Sequence, residues 1–349
     1  SGKTVTVRAT PGAALSVGSH TNKLVFTYGG TQRVAEWSYS VPQVIADKLH
    51  GYPAQLLGTV AFTDDKGGHT GAAGDTAMDF GTSGTPSVLI PDASFVNATT
   101  ADDQMSFSLW IKKYDNANSS AFWADATSAP SAQRGFQAHA PWSDNNVYFD
   151  TAGCCGADDT RISAGISTFA GYTDPSWWND WHHWVFVKNA GVKQIYIDGQ
   201  LFLEGGAITA LPTDFARIWL GAEGGGADKG IANNIHGVID DFAVFGSALT
   251  QADAQALFNG TAPSALDAST KPLAYWDFNT TSTGGGDRPT ITASRSGGVI
   301  TLSWPSTATG FKLKFSPTID GTFSDVSGVT GTSYQITNPT GKGFYMLQK

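Results

Sequence analysis

Charged residues are scarce in this sequence. Lys, Arg, Asp and Glu make up 15% of its 349 residues, whereas about 25% is usual for soluble domains. The formal net charge of −9 argues against nucleic-acid binding, because phosphate contacts depend on clustered Lys and Arg. Hydrophobic residues still reach 41%, so the chain can build a packed core and is not predicted to be disordered.

Glutamate is rarer still, with Glu36, Glu204 and Glu223 as the only three in the chain. A glycosidase needs two carboxyl groups about 5–5.5 Å or 6.5–9.5 Å apart across a cleft. Asp240 and Asp241 are adjacent on a predicted strand, where alternation directs them to opposite faces. The sequence also lacks a serine nucleophile elbow and a metalloprotease histidine pair. We therefore expect a protein without catalytic activity.

Long apolar runs and helical periodicity are also lacking. No apolar run approaches the ~20 residues of a membrane-spanning helix. Only residues 249–258 have a helical pattern, with Thr250 as N-cap and Gly260 as the stop signal. The remainder predicts strands separated by Gly, Asn, Asp, Pro and Ser turns, including a hairpin at Asp198-Gly199. Many antiparallel strands at short spacing predict an all-β sandwich.

Cysteine occurs only as the adjacent pair Cys154-Cys155, flanked by Gly153 and Gly156. A disulfide between neighbours is strained, but an oxidising compartment favours it and the glycines relieve the backbone. The alternatives are two reduced, buried cysteines or a pair of thiolates on a metal ion.

The loop around this pair is the predicted ligand site. Sugars present apolar C–H faces and hydroxyl groups, so their sites combine flat hydrophobic surfaces with carboxylates and Arg. A vicinal disulfide offers such a surface, nearby acidic residues and an arginine offer polar partners, and tryptophans of neighbouring loops offer stacking. For Trp177 a place in the core is the alternative. The predicted ligand-binding residues are Trp142, Asp150, Cys154, Cys155, Asp158, Asp159, Arg161 and Trp177.

Composition divides the chain into four segments. Residues 1–30 form a predicted N-terminal strand extension, and residues 31–280 a large β domain. Residues 281–288 are a Gly-rich linker by composition. Residues 289–349 contain short alternating strands and predict a small immunoglobulin- or fibronectin-III-like sandwich.

Four segments of the large domain resemble the laminin-G-like, concanavalin A-like jelly-roll family, over residues 31–279. The closing strand Gly-Val-Ile-Asp-Asp-Phe-Ala-Val-Phe at 237–245 and the hairpin formed by 181–187 and 195–199 carry most of the likeness. The other matching segments are residues 107–111, 34–39 and 47–51. The resemblance implies an antiparallel jelly-roll sandwich, and the C-terminal module is similar to those of secreted bacterial surface proteins.

The same resemblance implies a structural calcium ion between the opening loop and the closing strand. Mapped onto this chain, its ligands are Asp47 and Asp240, together with backbone carbonyls near Gly51. The alternative to calcium is that the adjacent carboxylates of the closing strand, Asp240 and Asp241, pair with Arg or with backbone N–H groups.

These observations predict a secreted, non-catalytic adhesion protein that binds a glycan through jelly-roll loops. One alternative is a structural subunit that self-assembles into an extracellular filament or matrix, with residues 4–8 and 24–28 as spare strands for a neighbouring copy. A polysaccharide-degrading enzyme is the third and least favoured hypothesis.

Overall fold

The structure is a computed structural model of the chain. It describes residues 18–28, 31–41, 43–117, 119–156, 159–224, 232–279, 291–296, 299–304, 312–316, 324–329, 331–337 and 344–348. The described residues form a larger unit within residues 18–286 and a smaller one within residues 287–349. The four-segment division made from composition stays a prediction.

The larger unit is a sandwich of two antiparallel sheets, which confirms the predicted fold class. The first sheet has the strand order β12-β11-β10-β9-β16-β7-β4-β3, and the second β15-β14-β13-β8-β17-β6-β5, with β18 paired to β17. Their strands are β3 (Gln43–Ala46), β4 (Pro53–Leu57), β5 (Ala61–Phe62), β6 (Met78–Asp79), β7 (Ser87–Ile90), β8 (Gln104–Lys113), β9 (Phe122–Ala126), β10 (Arg134–His139), β11 (Asn146–Thr151), β12 (Arg161–Gly165), β13 (His182–Asn189), β14 (Val192–Ile197), β15 (Gln200–Gly206), β16 (Phe215–Leu220), β17 (Gly237–Phe245) and β18 (Pro272–Trp276).

Helices in the described residues are short and lie in the connections. The α-helical segments are α1 (Asn97–Thr100), α2 (Pro130–Gln133) and α3 (Gln251–Phe258), and the 3₁₀ segments are Ser94–Val96, Ile166–Thr168, Pro175–Asn179, Pro263–Ala265 and Ala268–Thr270. In α3 the Thr250 side chain and Asp253 form a capping box, as Thr250 at the N-cap predicts. None of the described helices is long and apolar enough to span a membrane.

Alternating side chains on β8 show how the sequence builds the sandwich. Phe107, Leu109 and Ile111 point into the core between the sheets. The Phe107 ring packs against Phe122 of the opposite sheet at a centroid distance of 4.6 Å. Aromatic rings from both sheets therefore form the centre of the core.

The two sheets approach each other at one side of the sandwich, where each ends in an edge strand. These edge strands are β12 and β15. A Cβ atom at Gly205 on β15 would lie 2.6 Å from Ile162 Cγ2 on β12, closer than atoms normally approach. Glycine is needed at this position because the strands are so close, and the cysteine loop leads directly into β12.

The N-terminal strands differ from the prediction. Residues 34–39 are similar to the opening strand of a jelly roll, but they lie in β2 (Thr31–Val41), which pairs along its length with β1 (Gly18–Tyr28). This hairpin is a two-stranded sheet of its own. Residues 24–28 are thus paired within the chain rather than spare, and residues 4–8 lie outside the described part.

The described residues of the smaller unit form two three-stranded antiparallel sheets. The first contains β19 (Thr292–Ser296), β20 (Val299–Ser303) and β23 (Ser333–Thr337), and the second β21 (Lys312–Ser316), β22 (Ser324–Asp325) and β24 (Phe344–Gln348). Leu302, Trp304 and Leu313 form its buried cluster. Its assignment as an immunoglobulin- or fibronectin-III-like domain stays a prediction.

Candidate functional site

Cys154 and Cys155 are joined by a disulfide in the loop between β11 and β12. The prediction of a vicinal disulfide is confirmed. Gly153 has φ +123° and Cys155 has φ 78°, so this loop uses backbone conformations that favour glycine. Cys155 is exposed and Cys154 half-buried, and the disulfide therefore reaches the surface.

An ion pair beneath the loop holds Arg161 in place. Asp150 on β11 lies opposite Arg161 on β12 in the strand register. Arg161 Nε donates to Asp150 Oδ1 at 2.6 Å, and Arg161 Nη2 donates to Asp150 Oδ2 at 2.6 Å. This hydrogen bonding raises the pKa of Arg161 further above its ordinary value. The pair is bidentate, an arrangement that fixes the guanidinium plane.

Asp150 does not have the predicted role of a ligand contact. Its side chain is fully buried, and a second arginine, Arg134, donates from Nη1 to Asp150 Oδ2 at 2.7 Å. Both carboxylate oxygens are therefore used by arginines. Asp150 instead positions Arg161, which keeps 21% of its side chain exposed and lies over the Tyr148 ring at 4.6 Å.

Arg161 and Cys155 line a cleft of about 380 Å³ at the edge of the sandwich. Its walls come from the two edge strands and from the end of the cysteine loop. The lining residues are Cys155, Arg161, Ile162, Ser163, Leu203, Glu204 and Gly205. The cleft combines an apolar surface with a cation, a hydroxyl group and a carboxylate.

The sequence prediction missed the wall formed by β15. Leu203 and Glu204 follow Arg161 by about forty residues, and no local motif connects them to the cysteine loop. Glu204 is exposed and accepts a hydrogen bond from Gln194 Nε2 at 2.7 Å. Only the meeting of the two sheet edges brings these residues to the site.

The other predicted ligand residues have different locations. Trp177 is buried in the core and stacks on His182 at a centroid distance of 3.4 Å, so its ring has no face free for a ligand. Trp142 is half-buried and packs on His139 in a neighbouring loop. Asp159 is exposed beside the cysteine loop, and Asp158 lies outside the described residues. Neither Trp142 nor Asp159 is among the residues that line the cleft.

The two predicted metal ligands are in different hydrogen-bonding environments. Asp47 is buried, and its carboxylate accepts hydrogen bonds from the backbone N–H groups of Leu49, His50, Tyr52 and Tyr275. Backbone donors therefore satisfy this carboxylate. Asp240 belongs to another group, in which ligand atoms of His69, Asp75 and Asp240 lie within 4.8 Å of one another.

A β-bulge in β17 corrects the expectation that Asp240 and Asp241 point to opposite faces. The register with β8 shifts between Asp240 and Ala243, and Asp241 has φ 48°. Ile239 and Phe242 both pack in the core between the sheets, so the two aspartates between them share the outer side. His69 Nδ1 lies 3.0 Å from Asp240 Oδ2 and 3.6 Å from Asp241 Oδ2.

Negative charge is concentrated at this bulge. Burial and the charge of Asp240 raise the pKa of Asp241 to about 7, and burial also raises the pKa of Asp240. Burial alone would lower the pKa of His69, but its hydrogen bond to Asp240 and the charges of Asp241, Asp240 and Asp75 raise it. All three pKa values are raised because negative charge is held close together in a buried place. A bound cation would stabilise the charged carboxylates. Asp240 is fully buried, whereas Asp241 keeps 21% of its side chain exposed.

Comparison with known proteins agrees with this architecture. Residues 82–255, about half of the chain, match the family model of the concanavalin A-like lectin/glucanases superfamily. This part of the chain belongs to that superfamily, as its motifs indicated. No match is found among curated proteins.

The solved structures that match this chain have low sequence identity and low TM-scores. The binding domain of botulinum neurotoxin serotype G is 16% identical, with 62% of this chain and 50% of that chain covered and a TM-score of 0.42. Domain 4 of an extracellular arabinanase from Geobacillus stearothermophilus, in complex with arabinotriose, is 20% identical, with 61% and 92% covered and a TM-score of 0.39. A Trypanosoma rangeli sialidase is 13% identical, with 63% and 31% covered and a TM-score of 0.43. This chain thus spans half of the length of the neurotoxin domain, and similarities at this level do not define its function.

Removing the charge of Asp150 should destabilise the larger unit. Asp150→Asn leaves Arg134 and Arg161 without their shared buried carboxylate, and breaking such a pair costs about 3–5 kcal/mol. Urea unfolding measures the difference. Asp159→Asn, on the exposed side of the same loop, is the matched control and should change the free energy of unfolding by less than about 0.5 kcal/mol. Equal stability of the two variants would contradict the role assigned to Asp150.

Acid should also destabilise the larger unit through His139, which packs on Trp142. Burial lowers the pKa of His139 from 6.5 to about 4, and its Nδ1 lies 2.9 Å from the Ser119 carbonyl, to which it donates. A depressed histidine pKa means that the unfolded chain takes up the proton first, so stability falls as the pH drops from about 6.5 to 4. Urea midpoints between pH 7 and pH 4.5 measure this loss.

His139→Gln provides the comparison for that acid series. Glutamine does not titrate in this range, so the variant should be less stable at pH 7 but lose less on acidification. A decline as steep as that of the native chain would show that other groups control the acid response.

Proposed function

We propose that this chain is a secreted, non-catalytic protein that binds a glycan at the cysteine-loop cleft and serves adhesion. The observation that carries the proposal is the composition of the cleft. The exposed Cys155 and the partly buried Leu203 supply apolar surface, and Arg161, Ser163 and Glu204 supply donors and acceptors. Sugars require this combination.

The network behind the cleft supports binding without a large entropic cost. The Arg161 guanidinium is already fixed by Asp150 and Tyr148, so little rotamer freedom is lost when a ligand arrives. The disulfide adds a second fixed surface, and structural disulfides occur mainly in secreted proteins. The proposal of secretion rests on that tendency and on the low content of charged residues.

A glycan array with the full chain tests this function. The native chain should bind at least one glycan, and Glu204→Ala should weaken binding about tenfold or more because a hydroxyl acceptor is lost. Ser167→Ala, exposed beyond β12 and outside the cleft lining, is the control and should bind like the native chain. Absence of binding to every glycan would contradict the proposal, and so would equal binding by the Glu204 variant.

We also propose that a divalent cation, calcium by the family resemblance, binds at the bulge in β17 and stabilises the sandwich. Calcium prefers oxygen ligands, and the carboxylates of Asp75, Asp240 and Asp241 would supply them. The raised pKa values of Asp240 and Asp241 support this, because they indicate buried negative charge without sufficient compensation. Since the group also contains His69, zinc is the competing ion.

Thermal unfolding after chelation and re-addition of one cation at a time tests the ion. Calcium should raise the Tm of the native chain by several degrees, by binding only the folded state. Asp75→Asn should lose most of this increase, while Asp102→Asn, an exposed aspartate away from the bulge, should keep it. A rise with zinc alone would replace calcium by zinc, and no rise with either ion would refute the cation site.

A further inference from the structure

One end of the Arg161 guanidinium remains available in the cleft. Asp150 uses Nε and one N–H of Nη2, and Nη2 also lies 3.7 Å from Cys154 Sγ. Nη1 makes no hydrogen bond with the residues that the structure describes. An arginine has five N–H donors in a planar fork, so the two N–H groups of Nη1 can still bind an anion. Nη2 can join them only by giving up its contact with Cys154 Sγ.

The opposite wall has the opposite charge. Glu204 on β15 is exposed, and Gln194 donates to its carboxylate. A carboxylate accepts hydrogen bonds from hydroxyl groups, whereas it repels a second anion. The cleft therefore favours a ligand with negative charge at one end and hydroxyl groups at the other, and it disfavours a ligand charged along its whole length.

The size of the cleft limits the ligand further. About 380 Å³ is near the lower end of the roughly 300–1,000 Å³ found for small-molecule pockets. Such a space accommodates one or two sugar rings rather than a long stretch of polysaccharide. The close approach of β12 and β15 at Gly205 sets this limit.

We infer that the cleft recognises a single acidic sugar unit, with its carboxylate or sulfate group on Arg161 and its hydroxyl groups on Glu204. The apolar face of the ring lies against Cys155 of the disulfide and against Leu203. This inference rests on the proposed glycan-binding function and narrows it to one chemical class. Carboxylate and sulfate share the chemistry that the arginine fork recognises.

An array of matched sugars tests the inference with the full chain. Each neutral glycan is printed beside its uronic-acid and its sulfated counterpart, and binding is measured at low and at high salt. The acidic members should bind about tenfold or more tightly than the neutral ones, and salt should reduce the difference because it screens charge. The two acidic series tell carboxylate from sulfate recognition.

The outcomes separate this inference from the function on which it depends. Binding of neutral glycans with equal or higher affinity overturns the acidic-sugar inference and leaves glycan binding intact. Absence of binding to all members overturns both.

Substitutions at an exposed lining residue test the position of the charge without disturbing Arg161. Ser163 is exposed and lines the cleft. Ser163→Asp should weaken binding of the acidic sugars about tenfold through like-charge repulsion and leave neutral sugars nearly unaffected. Ser167→Asp adds the same charge outside the cleft lining and should have little effect. If both variants lower acidic binding equally, or if neither does, the anion does not bind in this cleft.

Arg161→Lys adds a second measurement, because it keeps the charge but removes the planar fork. We expect weaker binding of the acidic sugars and a smaller preference over neutral ones. Since Arg161 also pairs with Asp150, urea unfolding of this variant must accompany the binding data. A folded variant with unchanged preference would refute the role of the fork.

Discussion

The buried carboxylate of Asp150 is the interaction on which the cleft depends. It lies on β11 beneath the cysteine loop and is shared by two arginines. A carboxylate without a partner could not remain at zero exposure, and Arg161 without Asp150 would have many rotamers on an edge strand. The ion pair holds the flexible Arg161 side chain in one position. A buried residue therefore fixes the position of the donor that the cleft presents to a ligand.

The topology of the sandwich explains where the cleft lies. Both sheets are antiparallel, and each leaves one edge strand, β12 or β15, at the same side of the molecule. The cysteine loop ends at β12, and the hairpin at Asp198-Gly199 leads into β15. Residues that are far apart in the sequence therefore become opposite walls of one space, although neither strand alone forms a site.

Much of the fold could be predicted from the sequence, because strand alternation and turn residues are local signals. The alternation in β8, the Asp198-Gly199 turn and the capped helix α3 all follow local rules. The family resemblance added the jelly-roll architecture. The pairing of β2 with β1 was missed because the predicted boundary at residue 30 separated the two strands. The local signal was present, since Gly-Gly between two strand-like runs is typical of a hairpin.

The candidate site was predictable only in part. The vicinal disulfide and Arg161 were found because they lie close together in one stretch of the sequence, which also contains glycines and acidic residues. Trp177 was placed among the ligand residues although it is buried, since a tryptophan in a loop gives no local sign of the direction of its ring. The carboxylates of Asp240 and Asp241 escaped the alternation rule because a bulge interrupts it, and no local signal in the sequence revealed the bulge.

Gly205 gives the cleft a property that its contact residues do not show. Because a hydrogen atom stands where other residues carry a side chain, the separation of the two walls is controlled at a position that offers no functional group to a ligand. Relatives with a bulkier residue here would have to spread their sheet edges, and their clefts would admit larger molecules. Differences in ligand size among such proteins could thus arise from the spacing of the scaffold while every recognition group stays the same.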